Sequence, residues 1–179
     1  MKNSKSLIAA AVLATASIGS AAVMAADIST PPQALNLVGT NAYFGDSFNI
    51  NHANDTFADR FTFSVSGIAA DFNAVVSSIS RTAATGLDIT GLGLFTSAGT
   101  QVGTGGALET GAIDIWSISS NNLAVGDYYV QVSGTLVSNT SGSFGGTVAL
   151  APVPEPATYG MMLAGLGLVG FMARRRGSK

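Results

Sequence analysis

No cysteine occurs among the 179 residues, so disulfides, thiolate catalysis and cysteine-ligated metal sites are excluded. The single histidine, His52, leaves transition-metal chemistry without the set of imidazole ligands it needs. Charge is scarce too: Asp, Glu, Lys and Arg make up 10% of the chain, against about a quarter in soluble globular proteins. Basic residues are especially few in the middle. Over residues 27–152 only Arg60 and Arg81 stand against nine acids, a net charge of −7. Nucleic acid is a poor partner for such a stretch, because binding phosphate needs clustered lysine and arginine. With no covalent staple the domain rests on its apolar core, which is feasible at about 125 residues.

The two ends differ from the middle. Lys2 and Lys5 precede an apolar run over residues 7–18, and small residues follow. This is the layout of a secretory signal peptide, here 1–26. Val23-Met24-Ala25 or Met24-Ala25-Ala26 suits signal peptidase, with cleavage near Ala25 or Ala26.

At the other end Val153-Pro154-Glu155-Pro156 is followed by seventeen uncharged residues, 157–173, and then Arg174-Arg175-Arg176. A helix of that length covers roughly 25 Å, close to the hydrocarbon thickness of a bilayer. Residues 157–173 are therefore expected to form a transmembrane helix. The arginines would stay on the cytoplasmic side, with the body outside. Gly160, Gly165, Gly167 and Gly170 thin and weaken that helix, which suits transient residence better than permanent anchoring.

The order Val-Pro-Glu-Pro-Ala-Thr, short glycine-rich apolar span, arginine cluster resembles the PEP-CTERM sorting signal of Gram-negative bacteria, over residues 153–179. In that family an exosortase, an integral membrane enzyme similar to cysteine proteases, recognises the tail. The resemblance implies that Pro154, Glu155 and Pro156 form the recognition motif, with processing at or near it. It also implies a destination at the cell surface or in an exopolysaccharide-rich biofilm matrix.

Residues 27–152 read as one all-β domain. From Tyr43 to Leu150 the pattern has period two and is broken every eight to twelve residues by Gly, Asn, Asp or Ser. Phe61, Phe63 and Val65 alternate with Thr62, Ser64 and Ser66, and Tyr128, Val130 and Val132 with Tyr129, Gln131 and Ser133. Ile113 and Ile115 are expected to face inward, opposite Asp114 and Trp116. Further strands are predicted over residues 72–80, 87–96 and 144–150. Seven or eight such strands favour a single antiparallel β-sandwich of jelly-roll or Greek-key type.

Two segments carry further resemblance. Phe57-Ala58-Asp59-Arg60-Phe61 fits the Phe-x-Asp-x-Phe motif, with Phe57, Asp59 and Phe61 in its named positions, that identifies one family of PEP-CTERM proteins (FxDxF). The strand 126–134 and the segment 92–99 resemble pre-peptidase C-terminal domains, small β-sandwiches found beside secreted enzymes. Neither resemblance implies a biochemical activity.

Catalytic constellations are not evident. A serine triad would have to use His52, and no Gly-x-Ser-x-Gly elbow accompanies any serine. Calcium takes carboxylate and carbonyl oxygens, and the segment 49–59 offers Asn51, Asn54, Asp55 and Asp59, of which Asp55 and Asp59 are the carboxylate candidates. The spacing is not that of an EF-hand loop, and polar turn residues serve equally well as backbone acceptors. Trp116, Tyr129 and Tyr43 are candidates for stacking on a sugar. The expected function is that of a non-enzymatic surface or matrix protein, with exosortase and signal peptidase as partners. The alternatives are a carbohydrate-binding module for the cell's own exopolysaccharide and a secreted enzyme.

Overall fold

The computed structural model of the protein describes residues 25–153 and 156–176. The expected signal peptide, apart from Ala25 and Ala26, lies outside the described residues, as do Pro154 and Glu155.

Two five-stranded sheets are formed. The first runs in the order β1 (Gln33–Ala34), β3 (Thr56–Val65), β9 (Gly126–Leu136), β5 (Leu87–Thr96), β6 (Gln101–Thr104). The second runs β2 (Asn41–Phe48), β10 (Gly142–Pro152), β4 (Ala70–Ile79), β8 (Ile113–Leu123), β7 (Gly106–Glu109). The chain changes sheet at every step except β5 to β6 and β7 to β8, which pair as neighbours. The other sequence neighbours therefore lie in opposite sheets across the core instead of pairing, which is jelly-roll order. Every pairing is antiparallel except β1 on β3.

The period-two pattern builds this core. On β3 the residues Phe57, Asp59, Phe61, Phe63 and Val65 point inward, and on β9 Tyr128, Val130 and Val132 do. Phe63 stacks between Phe72 of β4 and Tyr128, at 5.2 and 5.9 Å between ring centres. All six predicted strands are present, as β3, β4, β5, β8, β9 and β10. The additional ones are β2, at the start of the period-two stretch, and β1, β6 and β7, which are too short to show a period.

One assignment of facing is reversed. On β8 it is Asp114 and Ile118 that are buried and Trp116 that packs against the core, while Ile113 is 38% exposed. The register with β4 explains the reversal, since Asp114, Trp116 and Ile118 sit opposite the buried Ser78, Val76 and Ala74. A shift of one residue turns a strand over. Burying Trp116 and Ile118 outweighs burying Ile113, provided that the Asp114 carboxylate is satisfied. It accepts from Gly111 N at 3.0 Å and from Ile89 N, on β5, at 3.2 Å.

Two glycines are required by close approach. Gly134 pairs with Phe57, and Gly146 pairs with Phe44. In each case the ring lies over the glycine where a Cβ would stand, and a backbone carbonyl oxygen (Asp88 or Val75) lies 2.5 Å from that point. Aromatic rings that cover cross-strand glycines pin register. Gly134→Ala or Gly146→Ala is therefore expected to cost about 2–3 kcal/mol, because the carbonyl cannot swing away as a side chain would. Calorimetry checks this, and an unchanged unfolding midpoint would show that the strands yield without cost.

Candidate functional site

The tail grows out of the middle of the second sheet. β10 is hydrogen-bonded on both sides, to β2 and to β4. Its end is closed by Val153 N donating to the Ala69 carbonyl at 2.9 Å. Helix α1 (Pro156–Arg176) begins three residues later. Proline suits the first helical position, where its missing N–H would have no partner, and arginines at the last turn complement the helix dipole. Every residue of α1 from Ala157 to Arg175 is exposed, and a Cβ at any of its four glycines would meet nothing within 4 Å. The glycines are therefore not there for packing against the sandwich.

The helix has no polar face, as expected. Among the described residues, however, no helix is long and apolar enough to cross a membrane. Thr158, Tyr159 and four glycines dilute the apolar character of a stretch already at the lower limit of length.

The Phe-x-Asp-x-Phe segment on β3 is a core element. Phe57 and Phe61 are 3% and 1% exposed, and Asp59 between them is fully buried. A second copy of the same spacing, Phe44-Gly45-Asp46-Ser47-Phe48, occupies β2 in the opposite sheet. Sequence reasoning missed it, although the repeated pattern thirteen positions apart was the available signal. The two copies run against each other across the core. Phe44 meets Phe61 at 4.8 Å and Phe48 meets Phe57 at 4.6 Å between ring centres, which sets Asp46 opposite Asp59. Phe144 of β10 closes the cluster, stacked on Phe57 at 5.4 Å.

Asp59 Oδ1 accepts from Thr30 N at 2.7 Å and from the Thr30 hydroxyl at 3.3 Å, which ties the N-terminal segment onto β3. Burial raises its carboxyl above the ordinary range. The Thr30 amide opposes that shift, and the charges of Asp46 and Asp27 add to it.

The other calcium candidate is placed apart from it. Asp55 Oδ2 lies 2.8 Å from His52 Nδ1, and Asp55 Oδ1 accepts from Ala26 N at 2.8 Å. The Ala26 amide first, and then His52, hold the Asp55 carboxyl below the ordinary range. Asn51 and Asn54 adopt left-handed backbone, with φ of 73° and 70°, and their N–H groups bond to the Asn139 and Leu136 carbonyls. The segment is a braced turn, and His52 has no serine in its hydrogen-bonding set. Among the described residues no group of three His, Asp or Glu converges as a metal would require.

The aromatic candidates separate as well. Tyr43 is 85% exposed on the outer face of the second sheet. Tyr129 faces outward as predicted but is only 9% exposed. Phe95 stacks on it at 5.1 Å, and the Arg60 guanidinium lies 5.1 Å from its ring centre. Trp116, half-buried, lines a cleft of about 380 Å³ together with Phe95, Gln101, Gln131 and Ser133. Its Nε1 is buried without a partner. Phe95, which the sequence did not single out, thus links the two.

Comparison with known proteins bears on both halves of the chain. No curated protein matches it. Among solved structures, the fold is similar to the pre-peptidase C-terminal domain of a collagenase from Bacillus anthracis. The identity is 18%, with 66% of this chain and 94% of that one covered and a TM-score of 0.38. Residues 152–176 match the family described as the PEP-CTERM protein-sorting motif. That motif implies export, membrane-anchored transit and recognition by an exosortase. The exposed helix on β10 is therefore a PEP-CTERM sorting signal, carried by a jelly-roll β-sandwich.

Proposed function

We propose that the protein is a non-catalytic component of the cell surface or extracellular matrix, delivered through its tail and freed of it at or near Pro154-Glu155-Pro156. The observation that carries this reading is the independence of the sandwich from α1. Its strands close at Val153 without burying any described tail side chain from Ala157 to Arg175, so removing the tail costs the fold nothing. The short, glycine-diluted helix suits a segment that is handed on to an enzyme.

Two further observations support a non-catalytic role. His52 is held by Asp55, and a cleft of about 650 Å³ is lined among the described residues by Phe48, Ile79, glycines, Ser, Thr, Asn49 and Arg81, without an acid or imidazole. Tyr43, Val75, Ile79 and Ile113 are exposed on the outer face of the second sheet. That face is weakly repulsive toward neighbours, as a matrix component requires. The Phe-x-Asp-x-Phe family and a biofilm destination fit this reading.

The test places one epitope tag in a loop of the sandwich and another after Lys179, followed by fractionation. The sandwich tag is expected at the surface or in the medium, with the C-terminal tag lost. Both tags together in the inner membrane would make the tail a simple anchor.

A second reading, exopolysaccharide binding, is favoured by the cleft that joins Phe95 and Trp116. It has an apolar wall, two glutamine side chains and an unpartnered indole N–H, the mixture with which proteins hold sugars. Retention of the full chain on the cell's own polysaccharide, lost in Trp116→Ala and kept in Tyr43→Ala, is the expected result. No retention of the wild type would remove this reading.

A further inference from the structure

The N-terminal segment is laid as a parallel strap along the side of β3 that β9 leaves free. Ala26 and Ile28 straddle Thr56: Thr56 N donates to the Ala26 carbonyl and Ile28 N to the Thr56 carbonyl, each at 2.9 Å. Farther along, Ala58 N donates to the Ser29 hydroxyl at 2.8 Å and Leu35 N to the Thr62 carbonyl at 2.8 Å. Within the strap, β1 pairs with Phe61 and Thr62. Without it the backbone of β3 would be an open sheet edge, of the kind that pairs with other chains.

The strap has a definite beginning. Ala26 N donates to Asp55 Oδ1 at 2.8 Å, and the other oxygen of Asp55 lies 2.8 Å from His52 Nδ1. A carboxylate thus stands at the nitrogen of Ala26. The neighbouring acids are engaged elsewhere: Asp27 Oδ1 accepts from Ser29 N and Asp59 Oδ1 from Thr30 N.

The sequence leaves two cleavage positions open, after Ala25 or after Ala26. They differ in what they leave behind. A cut after Ala26 removes both backbone groups that Ala26 contributes, so Thr56 N loses its acceptor and Asp55 its donor. A cut after Ala25 keeps both. It also places Val23 and Ala25 three positions and one position before the cut, closer to the small-residue pattern than Met24 and Ala26.

We propose that signal peptidase cuts between Ala25 and Ala26, and that the freed Ala26 ammonium closes an ion pair with Asp55 that fastens the mature N-terminus to β3. This cut presupposes that the residues before it are a signal peptide, as their sequence reads. One water is consumed: its oxygen joins the Ala25 carbonyl carbon as the C–N bond breaks. Ala25 leaves as a carboxylate, and Ala26 N ends with three hydrogens and a positive charge. A neutral N–H donor thereby becomes a charged one, and charge-assisted hydrogen bonds are the stronger kind. The ammonium is also a third cation in a body where Arg60 and Arg81 stand against nine acids over residues 27–152. The first residues of a domain ordinarily fray unless tied down. The pair ties them, so the edge of β3 stays covered once the leader has gone.

The full chain is exported from a Gram-negative host and its N-terminal peptide is read by mass spectrometry. The expected first residue is Ala26. A chain beginning at Asp27, or at any other position past the leader, would overturn the proposal. A chain still beginning at Met1 would remove the signal-peptide reading and the proposal with it. The exported protein is then treated with a limiting amount of an amine-acylating reagent near neutral pH, where an α-amino group reacts ahead of lysine. Paired with Asp55, the Ala26 amine is expected to react about threefold or more slowly than in Asp55→Asn, whose amide oxygen still accepts but carries no charge. Asp71→Asn, on β4, is expected to match the wild type. If Asp55→Asn fails to fold, the wild type carries this arm alone, because salt at about 1 M should speed acylation by screening the pair. Equal rates in wild type and Asp55→Asn, or a wild-type rate indifferent to salt, would show that no ion pair forms.

Discussion

Replacing Pro154, Glu155 and Pro156 together by alanine is expected to leave the protein exported, folded and unprocessed. The three residues stand between Val153, the last described residue of the sandwich, and the body of α1. Prolines on both sides of Glu155 narrow the backbone angles open to their neighbours and remove two N–H donors, features that alanine does not reproduce. Alanine removes the restriction and the carboxylate and extends the helix toward the sandwich. Mass spectrometry of the C-terminus and fractionation should show the processed form reduced to background, with the whole chain retained in the inner membrane. The unfolding midpoint of the sandwich should not move, because the described tail residues bury nothing against it. Processing at the wild-type rate would place recognition elsewhere, in the helix or at the arginines.

Phe61→Ala should produce the largest loss of stability of any single change in the body. Phe61 is 1% exposed, lies 4.8 Å from Phe44 in the opposite sheet, and meets Phe144 nearly edge-on at 6.1 Å. Its removal leaves a cavity between two aromatic rings, Phe44 of β2 and Phe144 of β10, that belong to different strands and cannot close over it together. The cost is about 3–5 kcal/mol, a large share of the 5–15 kcal/mol that holds an ordinary domain. The unfolding midpoint should fall by about 10 °C or more. Thr62→Ala, one position along and facing outward, should stay within about 0.5 kcal/mol. A loss in Phe61→Ala no larger than in Thr62→Ala would mean that the cross-sheet aromatic cluster contributes little.

The pattern of β3 and β9 was readable because each strand is buried on one face along most of its length, so that period two survives in residues 61–66 and 128–133. β8 was not, because its inward set begins with an aspartate. Hydrophobicity alone assigned Ile113 to the core, whereas two backbone N–H groups, one from the turn at Gly111 and one from β5, make the inward place of Asp114 affordable. Tyr129 was given its correct face but not its environment. That depends on Phe95, its register partner on β5, and on Arg60 from β3. Pairings between strands 34 and 69 positions apart leave no local trace. The first Phe-x-Asp-x-Phe segment was within reach of sequence reasoning, but its meaning was not, since only the jelly-roll crossing from β2 to β3 sets the two aspartates against each other.

The sequence by itself identified the tail as a sorting motif, because such a motif is linear: a short Pro-Glu-Pro segment, an apolar stretch and an arginine cluster follow in order along the chain. It also determined the fold class, because alternation and turn residues are local. The tertiary structure decided which oxygens are buried without partners, which aromatic rings remain open to a ligand, and that the described tail residues from Ala157 to Arg175 bury nothing against the core. Those properties depend on what stands across the sandwich, and the jelly-roll order brings together strands whose residues the sequence keeps apart.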